Sequence, residues 1–332
     1  MKFLFLILIT VFTVKAIGQT KYTTVSENFI SYHQNIAVAE RMFKNDSLLQ
    51  AYAWFDIAIQ SYKGAINPGH YFRAALCAIK IKEEFKALDY LEKAITNGYE
   101  VDSARKDQVV FFNQNTRNEY LKNIEVWDKK RFEAMNSEWE SEFYNIQEAN
   151  KKYAAVKYTS AVDFCAACLQ NKACNKTGAE YLSKYRLVKE KMKADSVTAS
   201  NLLKSIQKNG FPTMKLVGKT ASAIARSIFL NYDLDKKNER LNDLLYKALM
   251  DGHISPEFYA TLVDRRNVRN GLPPEFYEPI VGYEKTIGKD ITAANLKRKT
   301  IGLYTIKIVS TAATKTKDPN PCKKCYVGLY DY

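Results

Sequence analysis

The helical period of the apolar residues constrains this chain most, because it runs for long stretches without the residues that make turns. Leu48, Ala51, Tyr52, Phe55, Ala58, Ile59 and Tyr62 recur at i, i+3, i+4, i+7, i+10, i+11 and i+14, an unbroken stripe on one helix face. Only 13 Gly and 8 Pro occur in 332 residues, too few for the many tight turns of a β-sandwich or barrel. The hydrophobic fraction of 46% is that of a chain that folds around a core. These observations predict an all-α protein.

Helix starts and stops are written clearly along the chain. Residues 26–99 read as paired amphipathic helices. Asn67, Pro68 and Gly69 break the stripe, a second helix spans 70–82, and a third spans 85–96 and stops at Asn97 and Gly98. From Arg131 to about Tyr158 the pattern predicts one long helix whose seam is Phe132, Met135, Trp139, Phe143 and Ile146. Val197, Leu202, Leu203 and Ile206 mark a helix over 196–208, ended by Asn209 and Gly210 with Pro212 beyond. Thr220 can cap a helix over 221–231. Leu241, Leu244, Leu245, Ala248 and Leu249 mark another, ending at Asp251 and Gly252. Ser255, Pro256 and Glu257 form a helix start in which the hydroxyl caps, proline sits at the first position and the carboxylate meets the positive helix end. That helix runs to Asn270 and Gly271, where Pro273 and Pro274 forbid continuation. Only 300–310 has strand character.

Two segments resemble known families. Residues 71–98, with Ala87, Leu88, Tyr90, Glu92, Lys93, Ala94 and Ile95 in their second helix, resemble the second half of a tetratricopeptide repeat, whose period is about 34 residues. The helix pair 28–44 and 47–62 is then a more divergent preceding copy, and the stretch with Asp107, Asn115, Thr116 and Arg117 a short cap. The turn near Glu84 is one residue short of that pattern, and its Trp-x-x-Leu-Gly signature is absent. Residues 194–308 resemble an uncharacterised bacterial domain family often found in secreted proteins behind helical repeats. The matching blocks are Asn209 to Thr213, Leu216 to Gly218, Gly252 to Pro256, and Val263, Asp264 and Arg265 with Gly271. The chain departs from that family where it carries Asn231-Tyr232 and Tyr277-Glu278-Pro279. The family has no established activity, so the resemblance implies a helical domain and no reaction.

The first residues carry their own signal. Met1 and Lys2 precede an apolar run from Phe3 to Val14, and Ala16 and Gly18 place small residues before Gln19. This predicts a secretory signal peptide over 1–18, and hence an exported protein, periplasmic or extracellular. The run is too short for a membrane-spanning helix, and no later segment qualifies. The organisation expected is a signal peptide (1–18), a tetratricopeptide-like region (19–130), a connecting long helix and cysteine-containing segment (131–193), a C-terminal helical domain (194–310) and a cysteine-containing tail (311–332). The formal charge is +14. It falls by two when Lys2 and Lys15 leave with the signal. The positive residues are interleaved with Asp and Glu, as on solvated helix faces. Contact with a polyanion remains open, while specific nucleic-acid binding is not expected.

Chemistry-bearing residues are sparse. Asp264 and Arg265 lie on a helix that also carries Arg269, and Arg265 and Arg269, at i and i+4, can converge on one anion. The same residues also suit an Asp–Arg ion pair that locks the helix to the loop containing Gly210, Phe211 and Pro212. His253 is one of only three histidines and sits beside a helix-ending glycine, where it can serve as a general base or favour the helix dipole. Cys77 reads as a buried free thiol. Cys165, Cys168, Cys174, Cys322 and Cys325 suit disulfides in an exported chain, a four-thiolate zinc site, or free thiols. Neither Cys-x-x-Cys pair is followed by His, which excludes covalent haem attachment. No phosphate loop, nucleotide fingerprint or Ser-His-Asp arrangement is present, and no cofactor is expected. The sequence therefore points to a protein-interaction or scaffold module of the bacterial envelope, contacting a partner through its helical repeat surface. Tyr52 and Trp54 are the anchors if they face outward. The alternative is an enzyme or small-ligand-binding protein with a site at Asp264, Arg265 and His253.

Overall fold

A computed structural model describes residues 27–106, 113–153, 178–232, 239–269, 272–278 and 291–306. The expected signal peptide, all five candidate disulfide or metal cysteines, and residues 307–310 of the expected strand lie outside them. The described residues form twelve α-helices and no strand, so the chain is all-α. Residues 301–306 form a turn followed by irregular chain, which corrects the strand expected there.

Two helical hairpins open the fold: α1 (Glu27–Lys44) with α2 (Leu48–Ser61), and α3 (Pro68–Lys80) with α4 (Glu84–Thr96). They repeat each other at an offset of 36 residues, from Ala51 to Ala87, down to the hydrogen bonds of their turns. Ser47 N–H donates to Met42 C=O at 2.9 Å, and Glu83 N–H to Ala78 C=O at 2.8 Å. Each turn passes through a left-handed residue, Asp46 and then Lys82. The same offset pairs fully buried Ala39 with Ala75, Phe55 with Leu91, and Ala58 with Ala94. The small residues matter because two helix backbones approach closely only where side chains are short.

A short α5 (Val101–Lys106) leads to α6 (Gln114–Ala134), which packs on α4. Buried Glu84 accepts the Asn113 backbone N–H at 2.9 Å and ties the start of α6 to α4. The single long helix expected from Arg131 is instead two helices. α6 ends at Ala134 and α7 (Ser137–Asn150) begins after Asn136, whose side chain accepts the Trp139 N–H at 2.9 Å. The Asn136 N–H goes to Leu216 C=O at 2.8 Å. Asparagine is a strong cap, and a tertiary acceptor for its N–H decides the break. As a result Trp139 and Phe143 face the core, while Phe132 is 57% exposed.

A single turn of 3₁₀ helix (Lys151–Tyr153) follows α7. Next come α8 (Gly178–Asn209), α9 (Met214–Tyr232), α10 (Glu239–Met250), α11 (Pro256–Arg269) and α12 (Ile291–Thr300). α8 extends far upstream of the helix expected at 196–208. Its inner side is Ala199, Leu202 and Ile206, and Val197 faces outward. α9 packs against α7 and α8 and is kinked at Gly218. The Ser255 hydroxyl accepts the Phe258 N–H at 3.3 Å with Pro256 at the first helical position, as that start predicts.

One continuous core runs from Phe29 in α1 to Leu303 beyond α12. The hairpins and the C-terminal helices meet along a seam of backbone contacts. Met250, at the end of α10, accepts the Tyr62 hydroxyl at 3.5 Å. Next to it, Asp251 C=O accepts the Ala65 N–H at 3.2 Å. Gly252 has φ +77, and a Cβ there would sit 2.3 Å from Ala65 O and 2.9 Å from the Tyr62 hydroxyl. Both the left-handed conformation and the close approach require glycine. Gly210 offers an internal comparison, since it has φ +87 and open space around its Cβ position. Gly210→Ala should cost ~1 kcal/mol, the left-handed penalty alone. Gly252→Ala should cost about 3 kcal/mol or more, because overpacking adds to that penalty. Urea unfolding midpoints of the two variants check the difference, and equal losses would contradict the seam.

Candidate functional site

Asp264 is the best-organised polar group in the interior, and its role follows from its partners. It lies on the third turn of α11, is 0% exposed, and faces the loop 272–278. Its Oδ1 accepts the backbone N–H groups of Glu275 at 2.6 Å and Phe276 at 2.8 Å, and its Oδ2 accepts that of Glu278 at 2.5 Å. Burial pushes the carboxyl up from its ordinary value, and the three donors pull it partly back. An acidic side chain that fixes three consecutive-turn N–H groups holds a loop in place, much as a cap holds a helix end. The loop needs holding, because Tyr277 is a buried non-glycine residue at φ +56.

Arg298 of α12 clamps the other side of that loop. Its guanidinium is 4% exposed and donates to Phe276 C=O at 2.7 Å, Glu278 Oε2 at 3.0 Å and Tyr304 C=O at 2.6 Å. Asn295 completes the clamp by exchanging two hydrogen bonds with the Ile306 backbone, at 3.0 and 2.6 Å. Arg298 was not singled out in the sequence, where it stands between Lys297 and Lys299 and looks like part of a solvated basic run.

The residues expected to converge with Asp264 have other surroundings. His253 stacks on Phe211 with ring centroids 6.0 Å apart, and burial lowers its pKa. Arg265 is half-buried on the flank of α11, and the neighbouring Arg266 donates to Asn242 of α10. The Arg269 side chain lies outside the described residues, so the anion pair Arg265–Arg269 has no geometry to report. The Asp264 partners are backbone groups of the loop that follows its helix. Among the described residues Asp264 makes no ion pair with the loop before its helix.

A cleft of about 390 Å³ opens elsewhere, between α5, α6, α7 and the kink of α9. Its walls carry Glu100, Asp102, Glu125, Asp128 and Glu140 against Arg131 and Lys219, an acidic surface on a basic chain. Much of that charge is engaged. Asp128 holds the Arg131 Nε at 2.8 Å and Nη2 at 2.7 Å, and the guanidinium lies 4.2 Å from the Phe132 ring centroid. Glu140 accepts the Tyr144 hydroxyl at 3.1 Å, and Lys219 stands 3.9 Å from Glu100. Among the described residues no group of three His, Cys, Asp or Glu side chains is placed to hold a metal ion. Cys77 is a free, buried thiol whose pKa burial pushes up to about 12, too high for a nucleophile near neutral pH.

The exposed surface with the clearest character is the outer side of α2. Leu49 is 65%, Trp54 37% and Ile57 49% exposed, Ala53 lies among them, and the polar residues there are Gln50, Gln60 and Ser61. The only charged residue of this helix, Asp56, accepts the Tyr90 hydroxyl of α4. Tyr52, expected as an anchor with Trp54, is half-buried. Comparison with protein families, with curated protein sequences and with solved structures finds no match to this chain.

The clamp makes a direct prediction. Asp264→Ala leaves three loop N–H groups without their acceptor and should cost about 3 kcal/mol or more. Asp264→Asn, which keeps one accepting oxygen, should cost less. Thermal and urea unfolding give the values, and a wild-type midpoint for Asp264→Ala would refute the clamp.

Proposed function

We propose that this protein is an exported interaction or scaffold module of the bacterial envelope, and that it contacts its partner through the outer face of α2. The observation that carries this reading is the exposed apolar row of Leu49, Ala53, Trp54 and Ile57. It contains no charge, although 26% of the chain is charged. Isolated exposed apolar residues are ordinary, but an uncharged helix face around a tryptophan is what protein contacts favour. Terminal hairpins of repeat arrays normally present a polar outer face, and α2 departs from that rule. The 36-residue repetition of the hairpins supports the tetratricopeptide-like reading of residues 19–130. The signal-peptide reading of 1–18 supports export. Among the described residues no helix is long and apolar enough to cross a membrane. An enzymatic site at Asp264, Arg265 and His253 gains no support, because Asp264 is engaged by three N–H groups of its own loop and His253 is stacked on Phe211.

The test pairs wild-type protein with a Trp54→Ala, Ile57→Asp variant in affinity capture from an envelope extract of the host. Both substitutions are at exposed positions, so unfolding stability should stay within about 1 kcal/mol of wild type. Retention of a stoichiometric partner should fall at least tenfold. Equal retention by the variant would overturn the assignment of the contact to α2.

A further inference from the structure

Two of the three histidines lie on the hairpin side of the seam with the C-terminal turns, and the third, His253, lies in the 250–254 turn itself, where burial also lowers its pKa. His33 of α1 packs against the Phe29 ring at 4.4 Å and the Tyr32 ring at 4.8 Å. Its Nε2 is shut away from solvent without a hydrogen-bond partner. Gly302 closes over it at φ +81, and a Cβ there would stand 3.0 Å from the His33 Cβ. His70 of α3 shares a 2.8 Å hydrogen bond between its Nδ1 and the Tyr32 hydroxyl. Tyr32 stacks on Tyr62 at 4.4 Å, and the Tyr62 hydroxyl donates to Met250 at the end of α10. Both imidazoles are therefore part of the packing that holds residues 250–254 and 301–304 against α1 and the end of α2.

The charges around them oppose protonation or are engaged elsewhere. Arg73, one turn along α3 from His70, disfavours a second cation beside it and donates to Glu40 of α1. His33 and His70 lie near enough to disfavour a charge on each other. Asp251 acts on Tyr62, and Arg41, Glu257 and Glu40 act on Tyr304. Among the described residues no carboxylate stabilises either imidazolium.

We propose that this seam is an acid-sensitive latch: protonation of His33 and His70 releases the 250–254 and 301–304 turns and uncovers the α1–α3 side of the hairpins. Burial holds both histidines neutral in the closed seam down to about pH 3, whereas a released imidazole titrates near 6.5. A value lowered by closure means that the closed seam has its full stability above about pH 6.5 and loses it as the pH falls toward 3. Within that window each histidine multiplies the open-to-closed ratio by up to about tenfold per pH unit, so the pair acts steeply. The latch rests on the seam geometry and is independent of the α2 contact.

Hydrogen exchange on the full chain, corrected for intrinsic rates, tests it at pH 7.0 and 5.0. Protection in 27–36, 66–72, 250–254 and 301–304 should fall by nearly three orders of magnitude. Protection in α7 and the second half of α9 should hold. In a His33→Leu, His70→Phe variant the acid response should vanish in 27–36, 66–72 and 301–304, leaving in 250–254 only what His253 supplies. Unchanged protection in wild type, an equal response in the variant, or simultaneous loss across the whole chain would each overturn the latch. Proton NMR of wild type gives a check that needs no variant. An imidazole of His33 or His70 titrating near 6.5 while the seam keeps its protection would also overturn it.

Discussion

Backbone packed against backbone at Gly252 is the constraint on which the rest of the architecture turns. With the Ala65 carbonyl so close, no side chain fits, and the Ala65 N–H closes the contact onto Asp251. That junction fixes how the C-terminal helices sit on the hairpins. Gly98, against the backbone of Met214 and Lys215, does the same just after the C-terminal end of α4. Between these junctions the core runs unbroken from Phe29 to Leu303, so neither half is completed without the other. One consequence is functional. The α1 side of the hairpins is covered by the chain's own turns, and the outer face of α2 is left as the uncharged apolar surface of the first hairpin.

The interior polar groups follow a consistent logic. A buried carboxylate or guanidinium is costly unless its hydrogen-bonding capacity is filled. Asp264 and Arg298 are filled by opposite sides of the same short loop, Asp264 by its N–H groups and Arg298 by the Phe276 carbonyl and Glu278. Buried Glu84 obeys the same rule at a helix start. The buried histidines are the exception, since burial keeps His33 and His70 neutral and His33 Nε2 has no hydrogen-bond partner.

Much of the helix inventory was legible because the deciding interactions are local. Gly210 and Gly252 stop helices, and Ser255 with Pro256 starts one, through contacts within a few residues. The buried stripe Ala51, Phe55, Ala58 and Ile59 came from periodicity alone. The break at Asn136 was not legible, because helical spacing continues from Phe132 through Trp139 and the deciding acceptor, Leu216 C=O, is distant in sequence. The 300–310 segment has β-branched character, yet within its described part the Tyr304 carbonyl is taken by Arg298 and the Ile306 backbone by Asn295. For the site, Asp264 was singled out, and the structure buries it with loop N–H groups as its partners. Its partners could not be read, since backbone N–H groups carry no residue signature and Arg298 is hidden between two lysines.

The central claim is that the hairpins and the C-terminal helices are one cooperative unit joined at the seam. Native-state hydrogen exchange through increasing urea at pH 7 measures this most directly, read separately in α2–α4 and in α9–α11. The account predicts that the slowest amides of both regions converge on one opening free energy with the same urea dependence. Two separate isotherms, with the hairpins opening while α9–α11 stay protected, would contradict it.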